Sequence, residues 1–151
     1  FAYPFGLYDQ NIVHTLHSMG FTAAFGQQSG VAYAGFQRLG LPRFTMTERY
    51  SDPERFKIAT TALPLPSSEY VPKQSLIGQP PDHGAQSLGF TVAKALKSQL
   101  SALTCYSSDQ GKLTYNVVGN QRIEIRLANN QDTTRIRVNC TLPSERKGTT
   151  K

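Results

Sequence analysis

Much of what would assign this chain a chemistry is missing from it. No apolar stretch approaches the roughly 20 residues that a membrane-spanning helix requires. Only two cysteines occur among 151 residues, and they form no CxxC pair, which argues against a zinc site. No GxSxG elbow marks a serine nucleophile, and no GxGxxG or P-loop lysine marks a nucleotide site. Aromatic and basic residues do not interleave as a nucleic-acid platform demands. There is no internal repeat. By composition and spacing alone, the chain holds no complete active site.

What remains is the composition of a folded globular protein. Hydrophobic residues make up 38% and charged residues 17%, which excludes a disordered chain. The length suffices for one ordinary core or two small ones. The net charge of +6 is unevenly placed. Residues 1–55 hold four Arg against four Asp and Glu; residues 56–151 hold twelve Lys and Arg against six acids. The whole excess therefore belongs to the second part. The charges there alternate in sign, as in Arg122, Glu124 and Arg126, and read as solvated strand faces. The chain opens at Phe1 in a strand-like run, which reads as a processed or truncated start.

The first part reads as strand, turn, helix and strand. Ala2 and Tyr3 end an apolar run that Pro4-Phe5-Gly6 turns. Asp9 is a helix N-cap, and Ile12, Val13, Leu16 and Met19 follow at helical spacing until Gly20. Residues 21–25 form the next strand, dense in small apolar residues as a doubly covered parallel strand would be. Residues 31–40 hold at most a helical turn, and 41–46 form a third strand carrying Arg43. A capping-box spacing at Ser51-Asp52-Pro53-Glu54 predicts a helix to about Ala62.

Prolines then gather in an extended connector. Beyond it, strands are expected at 87–93, 102–107, 112–118, 122–128 and 134–141, with turns at 109–111, 119–120 and 129–132. Residues 93–100 form a short helix or an edge excursion. The domain reading is an α/β piece over 1–62, a connector over 63–84, a β-sandwich-like piece over 85–143 and a polar tail over 144–151. The fold class is α+β, with a small antiparallel β domain second.

Cys105 and Cys140 sit in phase with apolar neighbours on separate strands, so both thiols face one core. They form a disulfide in an oxidising compartment, or remain two buried thiols in a reducing one. His14 and His17 share a helix face, and His83 lies in the connector; no carboxylate or cysteine completes a ligand set with them. Three strand ends line one cleft instead. Tyr3, Pro4 and Phe5 offer backbone donors at a sharp turn, as an oxyanion hole does. Gln27, Gln28 and Ser29 suit sugar hydroxyls, and Arg43 offers a fork for a carboxylate.

These residues carry a resemblance. Phe1-Ala-Tyr-Pro-Phe-Gly6, Tyr8-Asp9, the run Gly20-Phe-Thr-Ala-Ala-Phe-Gly-Gln-Gln-Ser-Gly30 and Leu41-Pro-Arg-Phe44 together resemble the last third of bacterial polysaccharide deacetylases of the NodB-homology, carbohydrate esterase 4 type. Leu103-Thr-Cys-Tyr106, Arg122-Ile-Glu-Ile-Arg-Leu127 and Val138-Asn-Cys-Thr-Leu-Pro143 look like the β extension of one proteobacterial branch. The resemblance implies that residues 1–62 are the C-terminal fragment of a distorted (β/α) barrel. It implies metal-dependent hydrolysis of N-acetyl groups on a cell-envelope or extracellular glycan, and a periplasmic or secreted location. A backbone N–H of the Pro-aromatic motif, here Tyr3, Pro4 and Phe5, would help hold the oxyanion. The family's Asp-Asp and His-x-x-x-His motifs fall upstream of this motif. A divalent metal such as zinc is therefore expected only in a full-length enzyme, and this chain alone is expected to bind none and to be inactive. The partners implied are an N-acetylated polysaccharide and a second copy covering the open barrel face. The alternative is a non-catalytic carbohydrate-binding or structural β module.

Overall fold

A computed structural model describes residues 1–73, 86–128 and 135–144. His83 and the expected turn at 129–132 lie outside them. Helix α1 (Gln10–Ser18) begins at Asp9, whose carboxylate accepts from the Ile12 amide at 2.8 Å. It buries Val13 and Leu16 and ends at Gly20, whose φ of 82° relieves the last turn. Helix α2 (Pro53–Thr61) is capped by Asp52 rather than Ser51: the Asp52 side chain accepts from the Glu54 amide.

The three parallel runs of the first part lie side by side. Ala2 bridges Phe25 and Phe25 bridges Leu41, both in the parallel sense. The Tyr3 amide donates to the Phe25 carbonyl at 3.0 Å, and the Gly26 amide to that of Leu41 at 2.9 Å. These contacts are single bridges, not the strands expected at 21–25 and 41–46. Pro4 turns the first run away directly after Tyr3, and the Arg43 amide bonds the Gln28 carbonyl instead of that of Gly26, so neither ladder continues in register. Residues 21–25 are not covered on both faces either. Ala24 is buried against Tyr3, Val13, Leu16 and Leu39, while Phe25 stays 41% exposed.

The second part is a pair of antiparallel sheets. Its strands are β1 (Ser67–Val71), β2 (Gln86–Val92), β3 (Thr104–Ser107), β4 (Gly111–Leu113), β5 (Tyr115–Val118), β6 (Arg122–Leu127) and β7 (Val138–Thr141). One sheet runs β1-β2-β6-β5, the other β4-β3-β7. One buried core joins them: Val92, Ile123, Ile125 and Leu127 from the first sheet meet Cys105 and Leu113 from the second. A 3-10 segment (Lys94–Ala102) adds Leu100, and Tyr115 holds it by a hydroxyl 2.8 Å from the Leu100 carbonyl.

Three sequence expectations change here. The connector of 63–84 contains β1, which pairs antiparallel with β2 at the sheet edge. Residues 112–118 are not one strand: the chain leaves one sheet at Leu113 and enters the other at Tyr115. The last strand is also shorter than expected, beginning at Val138.

β1 is fastened by an arginine. Arg122 on β6 crosses over Gly89 of β2 and donates to the Glu69 carbonyl on β1. A Cβ at Gly89 would lie 2.5 Å from the Arg122 guanidinium. Gly89→Ala is thus expected to cost about 1 kcal/mol, since losing the charge-assisted bond outweighs the better strand propensity of alanine. Urea denaturation checks the sign. In an Arg122→Ala background the cost should shrink to what the 3.1 Å approach of the new Cβ to the Ile123 carbonyl imposes.

Candidate functional site

The carboxyl ends of the three parallel runs meet at one place. Pro4–Gly6 forms a tight 3-10 turn in which the Gly6 amide donates to the Tyr3 carbonyl and the Leu7 amide to that of Pro4. Phe5 adopts a left-handed φ of 55° and its ring is 75% exposed. Its own amide meets no acceptor among the described residues. Gly6, at φ 69°, lies so close to the second run that a Cβ would sit 2.5 Å from the Gln27 amide nitrogen. The turn therefore abuts Gln27 directly.

The third run closes the group. The Arg43 amide donates to the Gln28 carbonyl, and its Nε donates to the Gly26 carbonyl, both at 2.9 Å. Arg43 thus clamps the second run. One edge of its guanidinium is committed, which leaves the terminal nitrogens as the fork that sequence reasoning had assigned whole. The exposed Gln28 side chain folds back over Gly26: its Oε1 would stand 2.0 Å from a Cβ there. Gln27 is half-buried and Ser29 exposed.

Tyr3 has a different role from its neighbours. Its side chain is 3% exposed, its hydroxyl donates to the Leu39 carbonyl at 2.6 Å, and its ring stacks on Tyr8 at 4.3 Å. Burial pushes both phenols above their usual pKa, and Tyr8 adds repulsion at Tyr3. Tyr3 is a pillar beneath the turn, and Phe5 is the residue presented above it.

His14 and His17 are exposed on α1 and line a separate cleft of about 620 Å³ with Gln10, Gln37 and Arg38. Arg38 puts a positive charge in that cleft, which opposes a metal cation there. Among the described residues, no three of His, Cys, Asp and Glu come together as a metal would need. The described residues do not fit the divalent ion that the resemblance implies.

Cys105 and Cys140 face each other across β3 and β7 and are joined as a disulfide, with Cα atoms 4.0 Å apart. Sequence reasoning missed Arg135. Its guanidinium donates to the Phe5 carbonyl at 3.1 Å from 130 positions along the chain, and no local pattern signals it.

Comparison with protein-family models, characterised proteins and solved structures returns no match for this chain. No helix among the described residues is long and apolar enough to cross a membrane.

Proposed function

We propose that this chain is the C-terminal portion of a polysaccharide deacetylase, and that residues 1–62 contribute one wall of its substrate cleft. The observation that carries the reading is the meeting of the Phe5 turn, Gln27 to Ser29 and Arg43 at the carboxyl ends of parallel runs, where α/β folds gather their chemistry. The unengaged Phe5 amide donates to the oxygen that turns negative when an acetamide carbonyl is attacked. Gln27 and Ser29 bind sugar hydroxyls. The free edge of Arg43 takes a carboxylate. The described residues do not fit the family's metal, so the chemistry assigned to this chain is confined to binding and charge stabilisation.

Two further observations support it. A parallel sheet is ordinarily covered on both faces, yet Phe1, Phe21 and Phe25 remain exposed, as they would in part of a barrel. The disulfide suits a periplasmic or secreted protein. The product of the full open reading frame, loaded with zinc, is expected to release acetate from N-acetylglucosamine oligomers, whereas the 151-residue chain releases none. An intact, metal-replete product that releases no acetate would refute the reading.

The open face also predicts self-association of the chain by itself. Helix α2 buries none of its side chains, and Phe56 and Ile58 stand exposed on it. Light scattering is expected to report dimers or larger species, and Phe56→Glu with Ile58→Glu to shift them toward monomer. A second reading, a glycan-binding β module, is favoured by the exposed polar face of Ser87, Asn116, Glu124 and Arg126 on paired strands. Titration of the chain with neutral and acidic glycans, followed at those residues, tests it.

A further inference from the structure

We infer that Arg135 is a positioning residue: the β part reaches across to the α/β part and sets the orientation of the Phe5 turn. The inference rests on the deacetylase reading for its catalytic consequence, but the contact itself does not.

The turn needs an external hold. Phe5 is a non-glycine residue at φ 55°, a conformation that costs about 1–3 kcal/mol and persists only when neighbours enforce it. Burial does not enforce it, because the Phe5 ring is 75% exposed. Two backbone bonds close the turn from within, through the Gly6 and Leu7 amides. Among the described residues, the one side-chain bond to it is the Arg135 guanidinium on the Phe5 carbonyl. That bond fixes the peptide plane after Phe5, and with it the direction of the Phe5 amide on the other side of the same Cα.

The donor is itself held. Arg135 stands three positions before β7, which the Cys105–Cys140 bridge ties to β3. A second contact joins the two parts elsewhere: the Tyr33 hydroxyl donates to the Ser67 carbonyl at 3.1 Å and accepts from the Ser67 amide at 3.3 Å. Arg135 therefore reaches the turn from a fixed platform. An exposed bond of this kind adds little to global stability. Its effect is on geometry, and misplacing a reacting group by about 1 Å can reduce a rate a hundredfold.

Two measurements test this. In the 151-residue chain, Arg135→Ala is expected to speed hydrogen exchange at the Gly6 and Leu7 amides about tenfold, while the Ile123 and Ile125 amides stay unchanged. In the full-length product, the same variant is expected to lower kcat for acetate release about tenfold with KM within about twofold, and Arg135→Lys to recover part of it. Unchanged exchange at Gly6 and Leu7 would overturn the contact. Faster exchange with an unchanged kcat would overturn the positioning role. Faster exchange in the variant, with no acetate from the wild type, would instead refute the deacetylase reading and leave the contact between the two parts standing.

Discussion

Gly6→Ala is expected to dismantle the candidate site. Two independent penalties fall on one methyl group. Gly6 sits at φ 69°, where an L side chain is strained by about 1–2 kcal/mol. A Cβ there would also lie 2.5 Å from the Gln27 nitrogen and 2.6 Å from its Cβ, distances that only a backbone shift can relieve. Overpacking of that kind adds about 1–3 kcal/mol. The turn should lift away from residues 25–28, so the Tyr3 amide, bonded to Phe25, should lose its exchange protection. In a full-length enzyme, acetate release should fall by at least a hundredfold. Gly20→Ala is the control. Gly20 has a φ of 82°, yet an added Cβ there meets nothing within 4 Å. It should carry the backbone strain alone, at about 1–2 kcal/mol, and leave the turn in place. Equal effects at the two positions would show that the approach of Gly6 to Gln27 is unimportant.

The second large effect belongs to the disulfide. The bridge closes a loop of 35 residues, which in the chain-entropy model stabilises the fold by roughly 4 kcal/mol. β7 is an edge strand whose sheet neighbour among the described residues is β3, the strand to which the bridge ties it. Cys105 is fully buried in the shared core, so Cys105→Ala also removes packing there. Cys105→Ala with Cys140→Ala is expected to lower the unfolding free energy by about 3–5 kcal/mol in urea. A reducing agent should shift the midpoint of the wild type and leave that of the double variant unmoved. A wild-type midpoint indifferent to reductant would remove the bridge from the account of stability, and with it one support for an oxidising compartment.

How much of this was legible in the sequence depends on how local the cause is. Helix α1 was legible end to end, because Asp9, the apolar spacing and Gly20 are all local signals. β6 was legible because Ile123, Ile125 and Leu127 alternate with charges and are buried as that alternation requires. β1 was not legible. Ser67–Val71 lies among prolines, has one half-buried residue and four exposed ones, and becomes a strand through pairing with β2. The alternation of Leu113, Tyr115 and Val117 concealed a change of sheet, since the period of two continues through Thr114 while the partner changes. At the candidate site, the sequence indicated strand ends at Pro4, Gln27 and Arg43, where the structure has these residues just past single parallel bridges. The burial of Tyr3 was expected from its apolar run, but nothing signalled that its hydroxyl bonds Leu39, that the Arg43 Nε is bonded to Gly26, or that Arg135 reaches Phe5. Those facts arise from residues brought together by the fold, at separations that local patterns do not encode.

The passage of the chain through Thr114 has a mechanical consequence. Leu113 and Tyr115 are next-nearest neighbours in sequence, yet each is stitched into a different layer. Pulling either layer open drags on the other within one residue, so neither can melt while its companion persists. The β part should therefore lose its structure in a single step, and a protease cut near Thr114, which leaves the pieces tied by the Cys105–Cys140 bridge, should on reduction of that bridge yield no half that survives on its own.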